Sequence, residues 1–277
     1  MSSLHVKPGR PSGAGPVISV TPESAGWRHV GFDLHRLKPG QTASGDTGDR
    51  EVLLVLVEGR ARIAAGSHDL GELGDRLDVF EKTPPAAAYV PAGTPWSAAA
   101  TTDLTLAVCS APGGGDHPVR AIRPAETPME VRGRGTNERH IHPILMEDRE
   151  WAASLLVTEV FTPSGHWSSY PPHRHDEDAF PRQTLLEETY YHRLDPASGF
   201  GFQRIYTDAD ARGLRDLDET IAFSDGDVTL VPRGYHPCAA PYGYDLYYLN
   251  VMAGPLRKWR FHNDPDHAWI FRRDSGK

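Results

Sequence analysis

Three histidines and one glutamate in the second half of the chain have the residue types and the spacing of a metal-binding set. His173 and His175 form an H-x-H pair, Glu188 opens the next strand-like run, and His236 ends the segment LVPRGYH. Because residues i and i+2 of an extended segment point to the same side, the two imidazoles of the pair project together. Three imidazoles and one carboxylate suit Zn, Mn, Fe, Co or Ni and leave room for water or substrate. The sequence therefore predicts one divalent metal ion on these four residues.

Two points about this metal set stay open: which of two adjacent glutamates is the ligand, and whether these histidines bind a metal at all. Glu187 is a rival to Glu188, and only one of two neighbours on a strand can face the metal. We favour Glu188, which places Tyr190 and His192 on its own face. A second H-x-H pair, in the segment RHIHPIL, has no glutamate and no turn-borne histidine at matching distances. The other alternative is that all these histidines are ordinary surface or core residues.

The segments that must position these residues have the pattern of short strands. Gly and Pro are plentiful, at 27 and 24 residues, and they separate many short apolar runs, as the turns of an all-β protein do. The run EVLLVLVEG predicts a strand that is buried on both faces. Residues 147–156 are the best candidate for a helix.

The strand pattern occurs twice along the chain. YVPAGTPW and LVPRGYHP share the order apolar-Val-Pro-x-Gly, and each leads into another apolar strand. We therefore predict a loose arm over residues 1–16, a first domain over 17–115 and a second, metal-binding domain over 116–277, with a linker near 111–120. Glu51 takes the place of the metal-binding glutamate in the first domain. That domain has no H-x-H pair and has Trp96 where histidine is needed, so we predict that it binds no metal.

Composition and charge argue against several classes of function. The net charge is −8 and no cluster of Lys and Arg suggests a nucleic-acid surface. The longest aliphatic run, residues 52–57, is too short to cross a bilayer, and the N-terminus carries no apolar signal segment. Two reduced cysteines, Cys109 and Cys238, are expected in a cytoplasmic protein. We also expect a homo-oligomer, because the exposed edges of two sets of strands need to be covered.

These residues resemble the two motifs of the cupin superfamily. Its first motif is a glycine, an H-x-H pair and a glutamate before a strand, and Gly165 precedes the predicted metal residues in that order. Its second motif ends in a proline, a glycine and a histidine, as in the segment PRGYH. The segment between His175 and Glu188 is longer than in the usual motif. The resemblance implies an all-β bicupin, with two jelly-roll β-barrels in tandem.

A closer resemblance is to the 5-deoxy-glucuronate isomerase family of bacterial myo-inositol catabolism, and it runs from about residue 17 to residue 271. It implies that a small-molecule uronate, 5-deoxy-D-glucuronate, is converted to 5-dehydro-2-deoxy-D-gluconate. The family is related to the uronate isomerases of pectin breakdown, whose zinc is held by three histidines and one glutamate, so zinc is implied here as well. The segments that carry the resemblance are PPHRHDED, LEETYYHR, GFGFQRIYT, DGDVTLVPRGYHP, YGYDLYYLNVMAGP and NDPDHAW.

The implied reaction, an aldose–ketose isomerisation, moves a proton between C2 and C1 of the sugar. A base must therefore lie within hydrogen-bond reach of the C2 proton. We predict that a residue of the set Tyr190, His192, Asp245 and Tyr247 transfers it. The first two share a strand face with Glu188, and the other two belong to the last long strand.

The substrate carboxylate needs a cation, and an arginine can hold it with two hydrogen bonds. We predict Arg182 and Arg204 for this role, ahead of Arg174 and Arg233, which also flank the site in sequence. Two other functions fit the same metal ligands. One is another metal-dependent cupin enzyme, such as a dioxygenase or a related sugar isomerase, and the other is a non-catalytic module that binds sugar acids.

Overall fold

A computed structural model describes residues 2–275, whose regular secondary structure is mostly β-strand and forms two similar units. Strand β1 (His5–Val6) precedes both units. The strands of the first unit are β2 (Ile18–Val20), β3 (Gly31–Leu37), β4 (Thr42–Asp46), β5 (Arg50–Glu58), β6 (Ala61–Ala65), β7 (His68–Leu73), β8 (Ala87–Val90), β9 (Pro95–Ala100), β10 (Leu104–Pro112) and β11 (Arg120–Ile122).

The second unit carries the predicted metal residues. Its strands are β12 (Glu130–Arg132), β13 (Arg139–Leu145), β14 (Leu156–Thr162), β15 (Trp167–Ser168), β16 (His173–Arg174), β17 (Asp176–Ala179), β18 (Gln183–Leu185), β19 (Glu187–Asp195), β20 (Phe200–Tyr206), β21 (Asp218–Ser224), β22 (Val228–Val231), β23 (Cys238–Ala239), β24 (Asp245–Ala253) and β25 (His262–Asn263). The helices are short: α1 (Pro22–Ala25), α2 (Trp269–Ser275) and 3-10 turns at Val79–Glu81, Pro124–Glu126 and Gly135–Asn137. No helix within residues 2–275 has the length and apolar character needed to span a membrane.

Each unit is built around one large and one small antiparallel sheet, and the second unit also has the two-stranded sheets β16-β25 and β17-β18. The first unit has a six-stranded sheet in the order β11-β8-β5-β10-β3-β2 and a four-stranded sheet in the order β4-β9-β6-β7. The second has a seven-stranded sheet in the order β1-β22-β19-β24-β14-β13-β12 and a four-stranded sheet in the order β15-β23-β20-β21. The strand order β8-β5-β10-β3 in the first unit thus matches β22-β19-β24-β14 in the second.

The sheets pack in four layers, with the two large sheets in the middle. In β5, Leu54 and Leu56 pack between the two sheets of the first unit. The alternate residues Leu53 and Val55 pack between the two large sheets, in the same core as Tyr191 of the second unit. This alternation explains why the strand has no polar face, and it confirms the prediction that EVLLVLVEG is buried on both sides.

Several expectations from the sequence are corrected by these sheets. Within residues 2–275 no sheet closes on itself, so each predicted barrel is an open two-sheet sandwich. Residues 147–156 form turns and the start of β14 instead of a helix. The first large sheet extends past residue 115, because β11 pairs with β8. Part of the expected loose arm is strand β1, which pairs with β22 of the second unit and places the His5 imidazole 2.8 Å from the Asp227 carboxylate.

Candidate metal centre

Four strands or turns of the second unit bring the predicted metal residues together. His173 lies in β16, which pairs with β25, and His175 follows directly. Glu188 is the second residue of β19 and pairs with Val231 of β22. Beyond β22 the chain turns through PRGY and places His236 beside the start of β19. The hydrogen bonding of the large sheet therefore fixes Glu188, while the turn after β22 supplies the last histidine.

The side chains of these residues converge on one point. The imidazole nitrogens of His173, His175 and His236 lie within 4.8 Å of one another. The Nε2 atoms of His175 and His236 each lie 3.1 Å from Oε2 of Glu188. His175, Glu188 and His236 are buried, and His173 is partly buried. A carboxylate oxygen thus lies between imidazole nitrogens at a site that is largely shielded from water.

The hydrogen bonds on the far side of the rings favour metal binding. Nδ1 of His175 lies 3.1 Å from the Leu186 carbonyl, and Nδ1 of His236 lies 2.8 Å from the Gly234 carbonyl. If each Nδ1–H donates to its carbonyl, each Nε2 presents a lone pair towards Glu188. Nε2 of His236 is buried and makes no hydrogen bond. Lone pairs and a carboxylate that face one another fit a cation, and backbone contacts of this kind orient metal-binding histidines in other proteins.

The protonation states also suit a cation. Burial lowers the pKa of His173 well below its ordinary value, and neighbouring His236 and His175 lower it further. Burial likewise lowers the pKa of His236. For Glu188, burial acts to raise the pKa, but His236 and His175 hold it below its ordinary value. For His175, burial acts to lower the pKa, but the charge of Glu188 and the hydrogen bond with it raise the pKa above its ordinary value. The site therefore offers a carboxylate and, at His173 and His236, neutral imidazoles, which are the forms that bind metal, and metal binding at His175 would release the proton that Glu188 favours there.

Glu187 points away from this site. Its carboxylate accepts hydrogen bonds from the backbone N–H groups of Arg28, His29 and Val30 at 2.7, 2.7 and 3.0 Å. These residues belong to the first unit, so Glu187 holds the two units together. The alternation along β19 thus separates the two adjacent glutamates, and Glu188 is the one that faces the histidines.

The expected place of Glu51 needs a correction. Val52 pairs with Val90 of β8 as Glu188 pairs with Val231 of β22, and the similar segments PAG and PRG follow these valines. Val52 therefore occupies the position of Glu188 in the first unit, and Glu51 occupies that of Glu187. Among residues 2–275, the three histidines of the second unit form the only such group arranged to hold a metal ion.

A cleft of about 250 Å³ is lined by His173 and Arg139. It adjoins a small cavity of about 50 Å³ that opens onto His173 and Glu188. Apolar side chains and a few polar groups line this cavity: Ile141, Val160, Met252, Trp259, Thr158, Tyr190, Tyr248, Asn250, Arg132 and Arg139 among them. Cleft and cavity together therefore offer room for a small polar molecule next to the metal residues.

Tyr190 and His192, two of the predicted catalytic residues, share the face of Glu188. Tyr190 lines the cavity, and its hydroxyl oxygen lies 2.9 Å from Oγ of Ser169. His192 is fully buried beyond it and stacks on Phe223 with a ring separation of 3.7 Å. Burial lowers the pKa of His192 to about 3, so this imidazole is neutral. His192 does not line the cavity and is a core residue.

Asp245 and Tyr247 lie outside the cavity, contrary to the prediction. Asp245 accepts a hydrogen bond from the Ser164 N–H and forms an ion pair with Lys82. The Tyr247 hydroxyl donates to Oε2 of Glu159 at 3.0 Å, in the core between the large sheets. The pairing of β19 with β24 explains the error. Residues that pair across two strands lie on the same face of a sheet, and Glu188, Tyr190 and His192 of β19 pair with Met252, Asn250 and Tyr248 of β24.

Both predicted carboxylate-binding arginines also lie outside the cavity. Arg182 is exposed, and its side chain forms an ion pair with Glu177 at 3.4 Å. Arg204 lies on the outer face of β20, where its guanidinium forms two hydrogen bonds with Asp218 at 2.8 and 2.7 Å. Each of these cations is neutralised by a carboxylate at the surface. The arginines that line the cavity are Arg132, in the edge strand β12 of the large sheet, and Arg139, in the neighbouring strand β13.

This chain is similar to known proteins over nearly its whole length. A model of the KduI/IolB family matches residues 4–270. The 5-deoxy-glucuronate isomerase of Geobacillus kaustophilus (strain HTA426) is 52% identical over 270 residues, which cover 98% of this chain and 96% of that protein. The crystal structure of an IolB-like protein from Salmonella typhimurium LT2 superimposes with a TM-score of 0.92 at 47% identity, covering 97% of this chain and 99% of that one.

A more distant match shows the fold alone. Lactobacillus farciminis oxalate decarboxylase, in complex with formate, has a TM-score of 0.63 at 13% identity and covers 95% of this chain and 89% of its own. The family match spans nearly the whole chain, and the similarity to the Geobacillus protein spans both units. The chain therefore belongs to the KduI/IolB family.

Proposed function

We propose that this chain is an isomerase that converts 5-deoxy-D-glucuronate to 5-dehydro-2-deoxy-D-gluconate in myo-inositol catabolism. One observation carries the proposal. Three imidazoles and the Glu188 carboxylate converge beside a cavity in a chain that is 52% identical, over 98% of its length, to a protein named 5-deoxy-glucuronate isomerase. A site of this kind can hold the aldehyde end of a sugar acid.

We also propose that His173, His175, Glu188 and His236 hold one divalent metal ion, with zinc the first choice and Mn, Fe, Co and Ni as alternatives. When bound, such an ion acts as a Lewis acid towards carbonyl and hydroxyl oxygens. The buried Nε2 of His236, which has no hydrogen-bond partner, supports this assignment. The mixed nitrogen and oxygen donors suit these metals better than Ca²⁺ or Mg²⁺, which prefer oxygen alone.

Side chains of the protein must assist the transfer of the proton between C2 and C1. Of the predicted set, Tyr190 lines the cavity, and burial raises the pKa of its hydroxyl well above the ordinary value. The phenol is therefore protonated and can donate a hydrogen bond to the sugar oxygen that gains charge as the enediolate forms. Ser169, 2.9 Å from the Tyr190 hydroxyl, is the next group in this chain of hydroxyls. The apolar residues Ile141, Val160 and Met252 restrict water around it.

For the whole chain we propose a bicupin in which only the second unit binds metal. The matching strand orders of the two large sheets and the valine at position 52 support this view. We also propose a cytoplasmic homo-oligomer. Both cysteines are buried and unpaired, as in proteins of reducing compartments, and the side chains of Trp269 and Phe271 are exposed. The mass of the native assembly in solution tests the oligomer.

The His236→Ala variant tests the proposed function. Because Nε2 of His236 points at the proposed ion, we expect the variant to lose bound metal and to lose turnover of 5-deoxy-D-glucuronate by at least about a thousandfold. The matched control is His35→Ala, which removes a buried histidine of the first unit and should retain both. Metal per chain is measured by mass spectrometry and ketose product by NMR. Full metal and full turnover in His236→Ala would reject the proposal, and a wild-type protein that binds the uronate unchanged would indicate a binding module.

A further inference from the structure

Arg139 is a partly buried cation in the cavity that has no carboxylate partner among the side chains of residues 2–273. Its guanidinium donates to two backbone carbonyls, those of Asn137 at 3.0 Å and Tyr170 at 3.4 Å. Arg132, the other arginine of the cavity, is paired with Glu130 at 2.6 Å. A buried charge is costly unless it is paired, so the position of Arg139 calls for an anion.

The guanidinium lies close to the metal residues. It lines both the cavity that opens onto Glu188 and an adjoining cleft that includes His173. Arg139 and the metal residues thus face the same cavity, and one small molecule can contact both.

Other donors in the same cavity also lack an acceptor. Asn250 is 4% exposed, and its amide nitrogen makes no well-formed hydrogen bond, although the amide lies close enough to the Glu188 carboxylate to help to lower its pKa. The buried indole nitrogen of Trp259 has no partner either. Buried polar groups in folded proteins are almost always hydrogen-bonded. Two donors that lack a good acceptor lie in the same cavity as a guanidinium that lacks a carboxylate partner. Together they indicate a ligand that is rich in oxygen acceptors and carries negative charge.

We infer that Arg139 binds the carboxylate of the sugar acid, that Asn250 donates to one of its hydroxyl oxygens, and that Arg139 thereby selects uronates over neutral aldoses. This inference rests on the proposed function and names the specificity residue of the same site. Arginine suits the role because its planar guanidinium group can donate two hydrogen bonds to one carboxylate. Arg139 would hold one end of the six-carbon chain while the aldehyde end lies at the histidines.

The Arg139→Gln variant tests the inference with two substrates. Glutamine removes the charge but can still donate to the Tyr170 carbonyl. We expect kcat/KM for 5-deoxy-D-glucuronate to fall about a hundredfold, mainly through KM, because a charge-assisted contact is lost. Turnover of the neutral aldose that carries a hydroxymethyl group in place of the carboxylate, and metal content, should not change. Arg204→Gln, which removes an exposed arginine paired with Asp218, is the matched control and should behave as wild type.

Two results of that experiment would overturn the inference. An equal loss of activity on the acid and on the neutral sugar, or a loss of metal, would mean that Arg139 only supports the loop at Tyr170. A binding measurement keeps the inference testable if the chain does not isomerise the 5-deoxy acid. Calorimetry with D-glucuronate on the metal-loaded protein should show binding that is at least about tenfold weaker in Arg139→Gln than in wild type. Equal binding, or no binding to either protein, would contradict the inference.

Discussion

Tyr190 and Tyr247 lie on the neighbouring strands β19 and β24, with their hydroxyl groups on opposite faces of one sheet. The Tyr190 hydroxyl contacts Ser169 in the wall of the cavity. The Tyr247 hydroxyl contacts Glu159 in the core between the two units. Both side chains are fully buried tyrosines, so loss of the hydroxyl is the same chemical change at each position. Only one of these changes should affect catalysis.

We predict that Tyr190→Phe reduces kcat by about a hundredfold, because one hydrogen-bond donor to the oxygen that gains charge in the transition state typically contributes ~10²–10³ to kcat. Metal content should be unchanged. Tyr247→Phe should leave kcat unchanged and lower the free energy of unfolding by about 1–3 kcal/mol, because Glu159 loses a hydrogen-bond donor. Steady-state kinetics and urea unfolding of both variants check the prediction. Equal kinetic effects in the two variants would show that the face of the sheet does not decide the role of a tyrosine here.

The residues of this site could be predicted from the sequence only in part. Alternation along one strand placed Tyr190 and His192 on the face of Glu188, as the structure has them. The same rule could not choose between the two faces of β24, because a shift of one residue in register exchanges them. Tyr247 was therefore predicted where Tyr248 lies. Arg139 was missed because it reaches the cavity from β13, the strand next to the edge of the sheet, and nothing in its local sequence indicates that this strand borders the cavity.

Strands β5 and β19 each have a glutamate within their first two residues that binds the other unit. Glu51 accepts hydrogen bonds from the backbone N–H groups of Ala153, Ser154 and Leu155 at 2.6–2.7 Å. Glu187 accepts from the N–H groups of residues 28–30 in the same manner. The two glutamates occupy equivalent positions in the two large sheets. This pair of contacts is therefore reciprocal and links the units at two sites.

We predict that Glu187→Gln lowers the free energy of unfolding by about 1–3 kcal/mol, because an amide has only one acceptor atom for the three N–H groups that the carboxylate accepts. The variant should keep its metal. Glu188→Gln, a change of the same size at the next residue, should lose metal instead. Chemical unfolding and metal analysis of both variants check this prediction. Metal loss in Glu187→Gln and not in Glu188→Gln would mean that the roles of the two glutamates are reversed.

Local sequence patterns identified the strands whose two faces are both buried against other sheets. The apolar run of β5 indicated burial on both faces because each of its faces meets another sheet. Residues 147–156 were predicted as a helix because their local pattern permits one. Their N–H groups at 153–155 instead bind Glu51, which lies about a hundred positions earlier in the chain. A contact of that range cannot be inferred from a local pattern.

At the scale of the whole molecule, a buried group of charges crosses the interface between the units. Arg76 of the first unit forms two hydrogen bonds with Glu159 of the second, at 2.8 and 2.7 Å, and both side chains are at most 1% exposed. The His142 imidazole lies 2.7 Å from the same carboxylate, and the Tyr247 hydroxyl donates to it. The second H-x-H pair of the sequence thus contributes His142 to this interface and not to a metal site.

The charge of Glu159 makes the interface sensitive to pH. Burial acts to raise the pKa of Glu159, but the charge of Arg76 and the hydrogen bonds from His142 and Arg76 hold it below the ordinary value of 4.5. A carboxyl group whose pKa is lower in the folded state stabilises the fold above the unfolded-state pKa, and this contribution disappears as the pH falls through the folded-state value. The contribution should therefore be complete at neutral pH and should decline below about pH 4.5.

We predict that Arg76→Met lowers the free energy of unfolding at pH 7 by about 3–5 kcal/mol, because it leaves Glu159 buried without its cation. The double variant Arg76→Met/Glu159→Leu should regain part of that loss, since no charge then remains unpaired. Lys82→Met, which breaks the partly exposed ion pair with Asp245 at the surface, is the control and should cost at most about 1 kcal/mol. Urea unfolding from pH 7 to pH 3 measures all three variants. Because Arg76→Met removes the cation that lowers the Glu159 pKa, its stability should fall less steeply below pH 4.5 than that of wild type, and parallel curves would contradict the assignment of this acid sensitivity to the Arg76–Glu159 pair.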